Sequence, residues 1–135
     1  IAECGTGVAH AVGHALGADA HVHHGRAVGL VLRAAFSWNA SVSPERFDGV
    51  ATSLGVPTGA GALERAQMAA EAFDRLVRVS GVAVSLRDAG LSGADAERIA
   101  QKTLDPENLP MCENNVRPLT PADVGSLVRE VLTAA

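Results

Sequence analysis

Hydrophobic positions along this chain recur at helical rather than strand spacing. β-Branched residues seldom alternate with polar ones, whereas apolar residues three and four apart recur from end to end. From about Glu3 to Leu16 the chain is built of small residues, among them Gly5, Gly7, Ala9, Ala11, Gly13 and Ala15. This predicts a first helix, stopped by Gly17 and followed by a loop from Ala18 to His23. A glycine inside a helix costs about 1 kcal/mol relative to alanine, so three of them imply that something approaches the backbone closely.

A second helix is predicted from His24 to about Trp38. Val28, Leu30, Val31, Leu32, Ala35 and Phe36 make it apolar on most sides, as suits a buried central helix. Ser43 and Pro44 are a cap and a first-turn proline, opening a third helix to about Leu54. After a Gly/Pro-containing loop, a long helix from about Ala60 to Val79 turns Leu63, Ala66, Ala70, Phe73, Leu76 and Val77 to the core, and Gly81 ends it. Ser85 to Gly90 reads as one turn. Ser92 caps a helix from Ala94 to about Leu104. Pro106 to Leu119 holds three prolines and reads as an irregular, packed connection. Thr120-Pro121-Ala122-Asp123 places a cap, a proline and a first-turn acid ahead of a last helix carrying Val124, Leu127, Val128 and Val131 on one face. The expected fold is an all-α bundle of about six helices, in one domain over residues 1–135.

Composition narrows the classes. A chain of 135 residues suits one domain, and 47% hydrophobic residues exclude a disordered one. No apolar run reaches the roughly 18 residues that would span a membrane, and no basic amphipathic segment suits a lipid surface. The net charge of -4 offers no electrostatic reason to expect nucleic acid. Cys4 and Cys112 are far apart and form no CxxC pair, so a reducing, cytoplasmic setting is expected rather than a disulfide framework. Asn39-Ala40-Ser41 fits a glycosylation sequon, but no secretory signal precedes it. The chain opens Ile1-Ala2-Glu3, without an initiator Met, and runs at once into a helix-like pattern. A fragment of a longer polypeptide is therefore expected.

Histidine carries the candidate chemistry. All five lie between positions 10 and 24: His10, His14, His21, His23 and His24. His10 and His14 are four apart, so on a helix they share a face, and a glycine-containing turn can bring His24 back beside His10. Neutral imidazole suits zinc, iron and nickel. The HxxxH pair alone is a weak signal. The zinc-protease form needs Glu after the first His, where this chain has Ala11. His21 and His23 alternate with Val22 and are expected to face solvent.

Val8-Ala9-His10-Ala11-Val12-Gly13-His14-Ala15-Leu16-Gly17-Ala18, with His24-Gly25 ten residues after His14, resembles the signature segment of the iron-containing (group III) alcohol dehydrogenases. Asn115-Val116-Arg117-Pro118-Leu119-Thr120-Pro121-Ala122-Asp123-Val124 resembles the same family's closing segment and last helix. The resemblance implies the helical, metal-binding carboxy-terminal domain of the dehydroquinate synthase-like fold. It also implies an NAD(P)-linked enzyme that interconverts an alcohol and an aldehyde or ketone, with maleylacetate reductases close by. By position, His10 and His24 are similar to ligands of a divalent metal, Fe2+ or Zn2+. His14 resembles the histidine beside nicotinamide and substrate, where it takes part in proton relay.

The departures define what this chain lacks. The family completes its metal shell with an Asp and a His on an earlier helix, and binds NAD(P) through an amino-terminal α/β domain. Gly55 to Gly61 follow no strand and make no dinucleotide fingerprint. Val116 stands where the family's closing segment has proline, and the second helix lacks the proline usual near its middle. The resemblance therefore implies a segment inactive by itself, whose partners are its own N-terminal domain and a small-molecule substrate. Oligomeric state is open, a homodimer included. Two other readings stand beside it. One is a dehydroquinate synthase-like enzyme, which shares a His-Gly-x-Ala-Val segment like His24 to Val28 but normally has Glu where Arg26 stands. The other is a stand-alone, non-catalytic helical metal-binding or interaction module.

Overall fold

Seven α-helices account for most of the residues described by the computed structural model, which are 5–81 and 86–134. They are α1 (Val8–Ala20), α2 (His24–Ala40), α3 (Asp48–Ser53), α4 (Ala62–Val79), α5 (Ala96–Thr103), α6 (Leu109–Glu113) and α7 (Pro121–Ala134). Short 3-10 turns at Pro44–Phe47 and Gly93–Asp95 lead into α3 and α5, and there is no strand among the described residues. The all-α expectation holds.

The helix ends show which local signals decide. Both signals at Ser92 and Thr120 are real. Ser92 and Asp95 cap each other, with Ser92 N–H donating to Asp95 Oδ2 at 2.8 Å. Thr120 N–H donates to Asp123 Oδ2 at 2.9 Å, and Asp123 N–H donates back to Thr120 Oγ1 at 3.2 Å. Ser43 makes no such side-chain cap, and its segment starts as a 3-10 turn before α3. α1 continues through Gly17 to Ala20, so neither the stop at Gly17 nor a loop from Ala18 is found. The chain turns instead at His21, in the left-handed region (φ 54°), whose N–H bonds back to the carbonyl of Gly17. The expected start near Glu3 lies outside the described residues, and residues 5–7 are not helical. Ser85, the expected start of a single turn, also lies outside them. Within the presumed irregular connection, Asn108 precedes the five-residue helix α6.

α1 and α2 form a hairpin joined by His21–His23, and α5 and α7 close over it. Val12, Leu16, Val31, Leu86, Ile99, Leu127 and Val128 are fully buried there. The far end of α2 contributes Phe36 and Ala40 to a second core with α3 and α4. On α4 the buried stripe is Ala66, Ala69, Ala70 and Val77, while Leu63 and Leu76 are about half exposed, contrary to the expected face. The alanines let α4 lie close to Phe36, whose ring meets Phe47 edge-on at 4.7 Å and stacks with Phe73 at 6.0 Å.

The chain's tail returns to the start of α1. Gly7 has no side chain with which to cap that helix, and Asn115 Oδ1 accepts from the Val8 N–H at 3.4 Å. Asn115 also exchanges two hydrogen bonds with Asn39 near the end of α2, at 3.2 and 2.8 Å. The Asn39 amide of the sequon is thus committed to an internal partner. Arg117 stacks over Trp38, whose indole N–H donates to Glu130 on α7 at 2.9 Å.

Candidate functional site

The two helices of the hairpin position three imidazoles together. His10 and His14 stand one turn apart on α1, and His24 opens α2. The His24 ring lies 5.6 Å from that of His10 and 5.2 Å from that of His14, centroid to centroid. The turn that returns α2 depends on His21 adopting its left-handed conformation and on Val22 being buried beneath the hairpin. His21 and His23 are exposed, and among the described residues neither joins a ring contact. His21 and His23 face solvent as expected, and so do His14 and His24.

The cluster lies at the surface: His10 is half-buried, and His14 and His24 are exposed. Burial lowers the pKa of His10 below the ordinary histidine value, and the neighbouring rings of His24 and His14 lower it further by disfavouring a second positive charge. Lowering favours the neutral ring, the form that offers a lone pair. A cleft of about 710 Å³ between α2 and α4, lined in part by Arg33, Ser37, Gln67, Asp74 and Arg75, contains none of the histidines. Asp74 in it is shared by ion pairs with Arg33 and Arg78. The imidazole cluster is the better candidate because its three rings gather at the surface around His24.

The donor set suits a divalent transition ion in type but is incomplete. Among the described residues, no three His, Cys, Asp or Glu side chains could hold an ion by themselves. Two imidazoles with a third alongside make part of a coordination shell and need further ligands from elsewhere. Cys112 supplies none: it is buried and free, and burial raises its thiol pKa. Cys4 lies outside the described residues.

Residues 1–132 match the family described as "Fe-containing alcohol dehydrogenase family, C-terminal". The chain belongs to that family. Lactaldehyde reductase of Escherichia coli (strain K12) is 35% identical over 102 residues, covering 75% of this chain and 27% of the relative. 1,3-Propanediol dehydrogenase of Citrobacter freundii is 32% identical over 103 residues, with 76% and 27% covered. The chain thus spans about a quarter of the length of the curated relatives it matches. Among solved structures, a 1,3-propanediol oxidoreductase superposes with a TM-score of 0.82 at 28% identity, over 93% of this chain and 32% of that one. An alcohol dehydrogenase from Oenococcus oeni gives 0.80 at 28% identity over the same shares. As a member of the Fe-containing alcohol dehydrogenase family, the chain is similar to alcohol and aldehyde oxidoreductases, which favours the first of the three readings. No helix among the described residues is long and apolar enough to cross a membrane.

Spacing pointed to the three histidines, but the polar tie between the chain's tail and the hairpin carried no sequence signal. Asn39 and Asn115 are 76 positions apart, and their pairing exists only once the fold does. Gly13 was one small residue among several until its neighbour across the hairpin was known.

Proposed function

We propose that the polypeptide carrying this chain is a metal-dependent, NAD(P)-linked oxidoreductase that interconverts an alcohol with an aldehyde or ketone. In this reading His10 and His24 are metal ligands and His14 works on substrate. The observation that supports it most is the His24 ring lying 5.6 Å from that of His10 and 5.2 Å from that of His14, the three of five histidines that the reading assigns. Membership of the Fe-containing alcohol dehydrogenase family supports the same chemistry.

His10 and His24 would hold a divalent cation, Fe2+ or Zn2+, which would supply Lewis acidity toward the substrate oxygen. The chain's own residues do the rest of this domain's work. His10 and His24 offer ring nitrogens from two helices, so the fold fixes their separation. His14, exposed and one turn from His10, accepts or returns a proton at a ring nitrogen as the substrate interconverts between alcohol and carbonyl. NAD(P), the remaining metal ligands and the walls that exclude water come from the rest of the polypeptide, and a cytoplasmic setting fits such an enzyme.

Metal content and turnover of two variants of the full-length polypeptide test the roles. His10→Ala should lose metal and activity together. His14→Ala should retain metal and lose rate, the loss of one positioned proton-transfer group being about 10²–10⁴-fold. Metal retained in His10→Ala would overturn the assignment. A full-length product of about this chain's own 13.8 kDa, without alcohol-dependent reduction of NAD(P), would favour the non-catalytic module.

A further inference from the structure

We propose that Gly13 is a positioning residue for the imidazole cluster: its missing side chain sets how closely α2 approaches α1, and so how far His24 lies from His10 and His14. The inference rests on the reading of His10 and His24 as ligands.

Gly13 is buried between the two α1 histidines in sequence and faces Val28, one turn along α2 from His24. A methyl group on Gly13 would lie 2.7 Å from Val28 Cγ2, 3.2 Å from Val28 N and 3.3 Å from Val28 Cα. The first contact is closer than real Cβ atoms come, so something must move. Val28 is β-branched, and a helix leaves it one strongly preferred χ1 rotamer, so its methyl has little freedom to swing aside. The other two contacts, to backbone, are tight and need a shift of only a few tenths of an ångström, so the Val28 methyl is the main obstacle. The remaining response is for the start of α2 to move away from α1, taking His24 with it. The other glycines of the hairpin lack this constraint. A methyl on Gly17 or Gly25 would make only ordinary contacts at 3.4 and 3.9 Å, and Gly29 has nothing within 4 Å.

Alanine is a better helix former than glycine, so Gly13→Ala supports α1 locally while crowding the hairpin. The test compares wild type, Gly13→Ala and Gly13→Ala/Val28→Ala in the full-length polypeptide, measuring Zn2+ affinity by chelator competition and fold by circular dichroism. Folded Gly13→Ala should bind Zn2+ about 10–100-fold more weakly, the range seen when groups that orient ligands are lost. Removing the Val28 methyls should recover most of the affinity. Wild-type affinity in Gly13→Ala overturns the proposal, as does a folded double variant no better than the single one. Should Gly13→Ala fail to fold, the double variant decides alone: affinity near wild type supports the role, and a folded protein with weak binding overturns it. If wild type itself binds no Zn2+, the ligand reading fails, and crystal structures of the metal-free proteins then decide. In that case ring separations in Gly13→Ala wider than the wild-type 5.6 and 5.2 Å support positioning, and unchanged separations overturn it.

Discussion

The molecule has two cores built on different principles, and the histidines stand on only one of them. The core under the α1–α2 hairpin is filled by volume: Leu16, Leu86, Ile99 and Leu127 are fully buried, with Val8, Val12, Val31, Val124 and Val128 between them. In the core around α3 and α4, five of the seven buried hydrophobic residues are alanines, so there is little side-chain volume to lose. What holds that region is a polar tie. Arg65, 5% exposed, donates from Nε to Asp48 at 2.6 Å, from one terminal nitrogen to the Pro57 carbonyl at 2.6 Å, and from the other to Thr52 Oγ1 at 2.9 Å. α4 also leaves Leu63, Leu76 and Val79 exposed. The contrast teaches that the site-bearing hairpin is held rigid by close packing, while the neighbouring lobe is held in place by one guanidinium and a cluster of phenylalanines.

Leu16→Ala should give the largest effect. The side chain is completely buried, and truncation removes both its transfer energy and the packing around it, a loss of about 3–5 kcal/mol. A fall in the urea midpoint measures it. Because Leu16 lies on α1 two residues beyond His14, the same variant should also weaken Zn2+ binding. Loss of stability with full metal affinity would show that the histidines do not depend on this core.

Arg65→Met keeps the alkyl volume and removes the donors. It should cost about 2 kcal/mol, because Asp48 is half exposed and stays solvated while the Pro57 carbonyl and Thr52 lose a charged partner. Zn2+ affinity should not change, since Arg65 belongs to the other core. A drop in affinity matching that of Leu16→Ala would erase the distinction between the two regions.

That distinction was only half legible in the sequence. The hairpin was largely readable because its signals are local: four-residue spacing puts His10 and His14 on one face, and Leu30, Val31, Ala35 and Phe36 are buried as expected, although Leu32 is exposed. The last two long helices were readable from Ser92 and Thr120, whose caps are completed within three residues. α4 misled because Leu63 and Leu76 fit a helical stripe as well as the residues actually buried. Ala66, Ala70 and Val77 were read as core and are buried, whereas Ala69 was not read and is buried with them, its small side chain allowing close approach. α6 is too short to show a period, and its position comes from tertiary contacts with α1. Gly17 looked like a stop because glycine usually is one. Here the left-handed turn falls to His21, held by the burial of Val22 and the return of α2. For the site, residue types and spacing pointed to the rings, but nothing in the sequence identified Val28 as the neighbour of Gly13.

The smallest effect sharpens the comparison from the hairpin side. α7 packs into the first core, and its cap is a partly buried acid rather than a fully buried base. The pKa of Asp123 is lowered from 3.8 by hydrogen bonds from the Thr120 hydroxyl and backbone N–H, opposed by slight burial and helped by Arg117. A carboxylate whose folded pKa lies below its unfolded value adds stability above the unfolded value and loses it as pH falls through the folded one. The cap's contribution should therefore be complete at pH 6, decline below about pH 4, and be lost once the folded group is protonated. Asp123→Asn should flatten that part of the stability–pH curve while leaving the Arg65→Met difference intact. Urea midpoints of wild type and Asp123→Asn between pH 6 and 3 measure this, and parallel curves would show that the contacts with Thr120 and Arg117 hold α7 without depending on the charge.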